Sequence, residues 1–361
     1  MSIRSTRRAL TAAWSALILA ASGSAWAASA APGPTTATPP PSDASGSVQV
    51  LPVVPGIVML TVDGLNIAVQ TGPDGTVVVN PGPAKDAQAV IAAIRRVTDE
   101  PIRYLIDTGA DEELVGGNAA LAVAGRGIAQ QDLFIAGQQR TFSELVKVPG
   151  ANGGRGAPII ARQNVLMEMV ASPQVSGSGA ALPTDVFTRP QFNFFANEPI
   201  AVVRLPAAHS DADAAVRFER SDVVVAGEIF DPTHFPVIDP RNGGSIHGEI
   251  AALDQVMNTL VFAHTPVLAN TGGTLVIPVR GPLSDLNDLV SYRDMVATVA
   301  ARIQFYIDRG RSYSQIIAAD PAQGYHTRYG TDAGSWTTAD FIRAAYESLM
   351  AERKAHYDGR G

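Results

Sequence analysis

The sequence predicts an α/β (α+β) chain folded as a four-layer αββα sandwich, and three observations predict it. Short β-branched runs come in two sets, one early and one past the middle of the chain. Segments with apolar residues at helical spacing lie between and after the sets. Turn signals rich in Asp and Gly separate the early strands. Strands grouped in this way bury their apolar faces best as two facing sheets covered by helices on both outer sides.

In chain order, residues 56–61 (GIVMLT), 65–71 (LNIAVQT) and 76–80 (TVVVN) read as antiparallel hairpin strands, because Asp63-Gly64 and Pro73-Asp74-Gly75 are turn signals. Ala87, Val90, Ile91, Ile94 and Val97 recur at helical spacing, so 84–97 is predicted as a helix that delivers the chain into the apolar strand 102–107. The second set comprises 200–205 (IAVVRL), 222–226 (DVVVA) and 274–278 (TLVIP). Helices are predicted over 246–260, 283–308 and 338–352. Two glycine-rich segments, 150–156 and 172–183, read as surface loops long enough to overhang a site.

Composition narrows the functional classes. The 361 residues are 46% hydrophobic and 17% charged, too apolar for a disordered chain and too short of charge for a coiled coil. A net charge of -7 with a pI near 5.4 leaves no basic surplus to neutralise phosphates, which argues against a nucleic-acid partner. Cysteine is absent, which removes disulfides, thiolate zinc sites and cysteine nucleophiles. No phosphate loop or Gly-x-Ser-x-Gly elbow stands in the strand–turn–helix setting that its chemistry needs.

Residues 1–27 read as an export signal: Arg4, Arg7 and Arg8 make a basic start, 10–21 an apolar run, and Ala25-Trp26-Ala27 a cleavage site. Nothing later rivals that run as a membrane segment. Residues 28–47 form a Pro/Ala/Ser-rich linker, with five prolines and one charge over 31–47, a composition that cannot bury a core. The folded domain is predicted over 48–361, and the protein is expected to be periplasmic or secreted.

The stretch Asn66-Ile67-Ala68-Val69, Asp74-Gly75, Val79-Asn80-Pro81-Gly82, then a helix and 101–108 (PIRYLIDT) ending in Gly116-Gly117-Asn118, resembles the metallo-β-lactamase superfamily. The resemblance continues in order through 206–213 (PAAHSDAD), 224–230 (VVAGEIF) and 278–285 (PVRGPLSD). It implies a metallo-hydrolase fold with metal ligands on loops at strand ends, chiefly in a His-x-His-x-Asp-His run before the Gly-Gly-Asn turn.

That run is replaced here. The positions of its two alternate histidines are Gly109 and Asp111, its aspartate is Glu113 and its final histidine is Leu114. The next ligand position keeps its imidazole as His209. The bridging acid after Gly227 becomes Glu228, one methylene longer, and the last histidine becomes Arg280. Gly109 and Leu114 offer no side-chain donor, and a guanidinium repels a dication. We therefore expect Arg280 to replace the metal electrostatically by pairing with Glu228 or Asp111.

The resemblance thus implies an exported hydrolase-like pseudoenzyme without cofactor, binding a small molecule or partner near His209, Glu228 and Arg280. The alternative is a metal-dependent hydrolase of esters, lactones or β-lactam-like amides. Its catalytic candidates are Asp111 and Glu113, and Asp111, Glu113, His209 and Glu228 would hold magnesium, manganese, calcium or zinc, the hard cations being favoured by an oxygen-rich set. Read residue by residue, His209 suits a structural hydrogen bond, Asp213 a turn, Asp111 to Glu113 a solvated helix start, and His234 a surface loop.

Overall fold

Two sheets face each other in the computed structural model, which describes residues 48–127, 156–172, 182–261 and 273–358. All of these belong to the unit Asp43–Gly361. The predicted signal 1–27 and linker 28–47 lie outside the described residues, as do loops 150–156 and 172–183 apart from their ends.

The first sheet has seven strands in sequence order: β1 (Gln49–Val54), β2 (Ile57–Val62), β3 (Leu65–Gly72), β4 (Gly75–Val79), β5 (Ile102–Asp107), β6 (Ile159–Arg162) and β7 (Asp185–Phe187). β1 to β4 form an antiparallel meander. Asp63 and Gly64, at φ 48° and 79°, make the two-residue turn that pairs Val62 with Leu65; positive φ at both positions matches the twist of the strands, as expected of an Asp-Gly pair. The chain then crosses over through α1 (Ala87–Val97), which makes β5 parallel to β4.

The second sheet, in the order β12-β11-β10-β9-β8, contains β8 (Gln191–Phe195), β9 (Glu198–Arg204), β10 (Ala214–Phe218), β11 (Val223–Val225) and β12 (Leu275–Ile277). Strands β1, β6, β7, β8 and β10 are not among the elements anticipated from the sequence. β6, β7 and β10 are short and fully or partly buried, so they show no alternation.

Packing completes the four layers. Ile57, Met59, Ala68, Val79 and Ile106 of the first sheet meet Val202, Val216, Phe218, Val225 and Ile277 of the second in the central core. Val90, Ile91 and Ile94 of α1, with Leu121 of α3 (Asn118–Ala124), cover the outer face of the first sheet. The helices Ile246–Thr259, Leu286–Asp308 and Thr338–Asp358 pack on Ala215, Val224 and Val276 of the second. The helix at Leu286 begins three residues later than anticipated because Asp285 caps it, accepting from Asn287 N and Asp288 N. Among the described residues no helix is long and apolar enough to cross a membrane.

Candidate metal centre and cleft

The predicted site residues hang from strand ends. The chain leaves β5, turns through Thr108 to Ala110, and enters α2 (Glu112–Val115) with Asp111 as its first flanking residue. His209 lies in the loop from β9 to β10, Glu228 in the single helical turn Gly227–Ile229 after β11, and Arg280 just after β12.

Buried polar side chains hold these loops. Asn80 accepts from Thr108 N and donates to Thr108 Oγ1, while Asn118 donates to Asp107 Oδ2 at 2.8 Å. Burial pushes the Asp107 carboxyl up to about 8, against the pull of Asn118. Asp213 is 1% exposed and accepts from Ala208 N and Ser210 N, clamping the residues on both sides of His209. Burial raises its carboxyl to about 6. Asn66 donates to the carbonyls of Pro278 and Gly281, fixing the strap that carries Arg280. Gly227 has φ 66°, and a Cβ there would stand 2.7 Å from Ala214 O, so the turn presenting Glu228 needs glycine.

Asp111, His209 and Glu228 come together, each offering a ligand atom, with these atoms all within 4.8 Å of one another. His209 Nε2 stands 3.4 Å from Asp111 Oδ2 and 3.7 Å from Glu228 Oε1. The ring is oriented from behind: Nδ1 donates to Val237 O at 3.0 Å, which leaves Nε2 facing the carboxylates, as an N–H donor in the charged ring and as a lone pair once the ring is neutral. Burial opposes charge on His209, yet Glu228 and Asp111 raise its pKa well above the usual range. Burial also drives Glu228 well upward, against the pull of His209. Asp111 is held low, its desolvation outweighed by the hydrogen bond and charge of His209. One dication can therefore take the place of the protons that the cluster otherwise shares.

Glu228 reaches the cluster through space that Gly109 leaves open. A methyl group at Gly109 would overlap Glu228 Oε2 and stand 2.9 Å from its Cδ and 3.3 Å from Leu114 Cδ1. No donor among the described residues reaches the buried Oε2. A buried carboxylate oxygen without a partner, beside an imidazole lone pair and a second carboxylate, fits a divalent cation.

Arg280 departs from the expectation that it pairs with Glu228 or Asp111. Its guanidinium pairs with Glu113, and the two side chains are 31% and 57% exposed. The register of Arg280 opposite Leu65 carries it toward the rim of the cleft. Glu113 is thereby engaged away from Asp111, His209 and Glu228, and Leu114 is buried in an apolar cluster with Leu65 and Val165.

These residues line a cleft of about 470 Å³ whose other walls include Leu65, Val279, Phe235 to Val237 and Trp336. Trp336 donates to Pro236 O at 3.2 Å, and Phe235 stacks on Phe341 at 4.8 Å, so the C-terminal helices support this wall. His234, read from the sequence as a surface-loop residue, lines the cleft with Asp231. Asp231 and Trp336 had no chemical signature in the sequence, and only the Asp-Pro-Thr-His run marked the loop.

No family model matches the chain, and no curated protein matches it. Solved structures do. The stereoselective inverting sec-alkylsulfatase Pisa1 from Pseudomonas sp. matches with a TM-score of 0.61 at 12% identity, over 83% of this chain and 50% of that one. A double mutant of the same sulfatase matches with a TM-score of 0.63 at 12% identity, over 84% and 50%. The chain thus spans about half the length of these sulfatase chains. A metallo-β-lactamase from Pontibacter korlensis matches with a TM-score of 0.49 at 12% identity, over 69% of this chain and 99% of that one. The likeness to the sulfatase chains, at this identity, speaks for the architecture and leaves the activity to the site.

Proposed function

For a chain with the metallo-β-lactamase fold and this cleft, we propose a single-cation hydrolase of esters, lactones or β-lactam-like amides, exported by the signal 1–27 and carried on the linker 28–47. Asp111, His209 and Glu228 would hold the cation, and their convergence at the cleft is the observation that carries the reading. Two oxygens and one imidazole nitrogen favour manganese or zinc over calcium. Bound there, such a cation supplies Lewis acidity toward a scissile carbonyl. The chain's own residues do the rest. Val237 O holds the His209 ring, Asp213 holds its loop, and the apolar wall from Leu65 to Trp336 receives the hydrocarbon part of a substrate and excludes water from it.

A second reading, a ligand-binding pseudoenzyme, draws on the other half of the site. Buried Leu114 and the Arg280–Glu113 pair stand where the resemblance places further metal ligands. Elemental analysis of the purified chain and of His209→Ala, with thermal melts in the presence and absence of chelator, tests the cation site. About one equivalent of metal in the wild type, lost in the variant together with several degrees of melting temperature, supports it. Turnover of an ester or lactone by the metal-loaded chain then decides for the hydrolase. Saturable binding without turnover decides for the pseudoenzyme, and a metal-free wild type with an unchanged melt overturns the cation site.

A further inference from the structure

The geometry points to His234 as a proton-transferring residue of the cleft, oriented by Asp231. Asp231 is buried, 8% exposed, and its Oδ1 accepts from Thr233 N, Thr233 Oγ1 and His234 N at 2.8, 2.5 and 3.2 Å. Three donors on one oxygen fix the carboxylate plane. The other oxygen, Oδ2, accepts from His234 Nδ1 at 3.0 Å. Nδ1 also lies 2.9 Å from Thr233 Oγ1, whose own proton is given to Asp231 Oδ1, so both neighbours of Nδ1 are acceptors; this assigns the ring proton of the neutral imidazole to Nδ1 and leaves Nε2 as the basic nitrogen. The imidazole itself is 52% exposed and lines the same cleft as Asp111, His209 and Glu228. A carboxylate that holds an exposed imidazole by Nδ1 is the arrangement in which a histidine accepts and returns a proton without losing its orientation.

This inference rests on the hydrolytic reading and extends it. For an ester, Nε2 of His234 takes a proton from the attacking water as the water oxygen bonds to the acyl carbon. It returns that proton to the leaving oxygen as the bond between acyl carbon and leaving oxygen breaks. The products are a carboxylic acid and an alcohol, and the imidazole ends neutral as it began. An alkoxide leaving group needs the returned proton; a nitrophenolate scarcely does. Asp231 is a positioning residue, acting only through the ring.

The experiment compares wild type, His234→Gln and Asp231→Asn, each loaded with manganese or zinc, on p-nitrophenyl butyrate and ethyl butyrate. Metal content is measured on each, and the ring tautomer of His234 is read by nitrogen-15 NMR. For His234→Gln we expect kcat to fall on both esters, by about tenfold or more on the nitrophenyl ester, which loses the base for the attacking water, and by about 100-fold or more on ethyl butyrate, which loses the returned proton as well, with metal content at the wild-type level. Asp231→Asn is expected to shift the ring away from the Nδ1-protonated tautomer expected in the wild type. Equal losses on both esters, no loss on either, or an Nε2-protonated wild-type ring overturns the role of His234 and leaves the hydrolytic reading standing. A metal-loaded wild type that turns over neither these esters nor a lactone or β-lactam-like amide overturns both, and a wild type without metal that still depends on His234 for ethyl butyrate overturns the cation site alone.

Discussion

Replacing Gly109 by alanine tests how the site was assembled. The backbone there does not require glycine, since Gly109 lies outside the left-handed conformations. The whole effect therefore comes from the methyl group. Built in place it overlaps Glu228 Oε2 and lies 2.9 Å from Cδ, whereas carbon–carbon contacts settle at about 3.5 to 4.0 Å. The carboxylate must retreat by roughly 1 Å in a side chain only 9% exposed. Overpacking of this kind costs about 1–3 kcal/mol. The restriction of the unfolded chain by alanine returns about 0.4–1 kcal/mol. The expected net loss is up to about 2.6 kcal/mol in urea unfolding with chelator present, together with a tenfold to hundredfold weaker cation affinity in calorimetric titration. Glu228→Asp withdraws the carboxylate by one methylene, so in the Gly109→Ala background it should cost at least about 1 kcal/mol less than in the wild type. Additivity of the two substitutions within about 0.5 kcal/mol, with cation affinity unchanged, would refute the idea that Glu228 occupies the volume left by residue 109.

Three further outcomes are expected. Asp107, raised by burial to about 8, binds a proton more tightly folded than unfolded; its contribution is complete below the ordinary carboxylate range and is lost as pH climbs to about 8. Melts taken between about pH 5 and pH 8 should therefore fall less for Asp107→Asn than for the wild type, and parallel curves would contradict this. Asn66→Ala leaves the buried carbonyl of Pro278 and the Gly281 carbonyl without their donor, a loss of about 1–3 kcal/mol in urea unfolding, and a change under about 0.5 kcal/mol would show that the strap is held otherwise. Arg280→Ala breaks a partly exposed pair, so its stability should change by less than about 1 kcal/mol and its metal content not at all; a variant that gains a metal equivalent absent from the wild type would restore the guanidinium as the metal's replacement.

Much of the architecture was legible in the chain. The hairpins about Asp63-Gly64, the α1 periodicity and the two sets of strands rest on local turn chemistry and on burial patterns of period two and 3.6, which neighbouring residues carry. Strand β10 and the short parallel strands β6 and β7 escaped because their fully or partly buried runs have no alternation to read. At the site, the sequence by itself determined which donors are present: Asp111, Glu113, His209 and Glu228 remain, and Gly109 and Leu114 offer none, while the folded chain brings only Asp111, His209 and Glu228 together. It also showed the longer acid at 228 and the missing side chain at 109, but as two separate departures. Only the tertiary structure joined them, because residues 119 positions apart share one volume after folding. The partner of Arg280 was likewise decided in three dimensions. The sequence pointed to Glu228 or Asp111, and the register of Arg280 opposite Leu65 brought it to Glu113 instead. His234 entered the cleft for the same reason: its loop is held by contacts with Tyr329, Phe341 and Trp336, about 100 residues further along, and no local pattern records contacts made at that range.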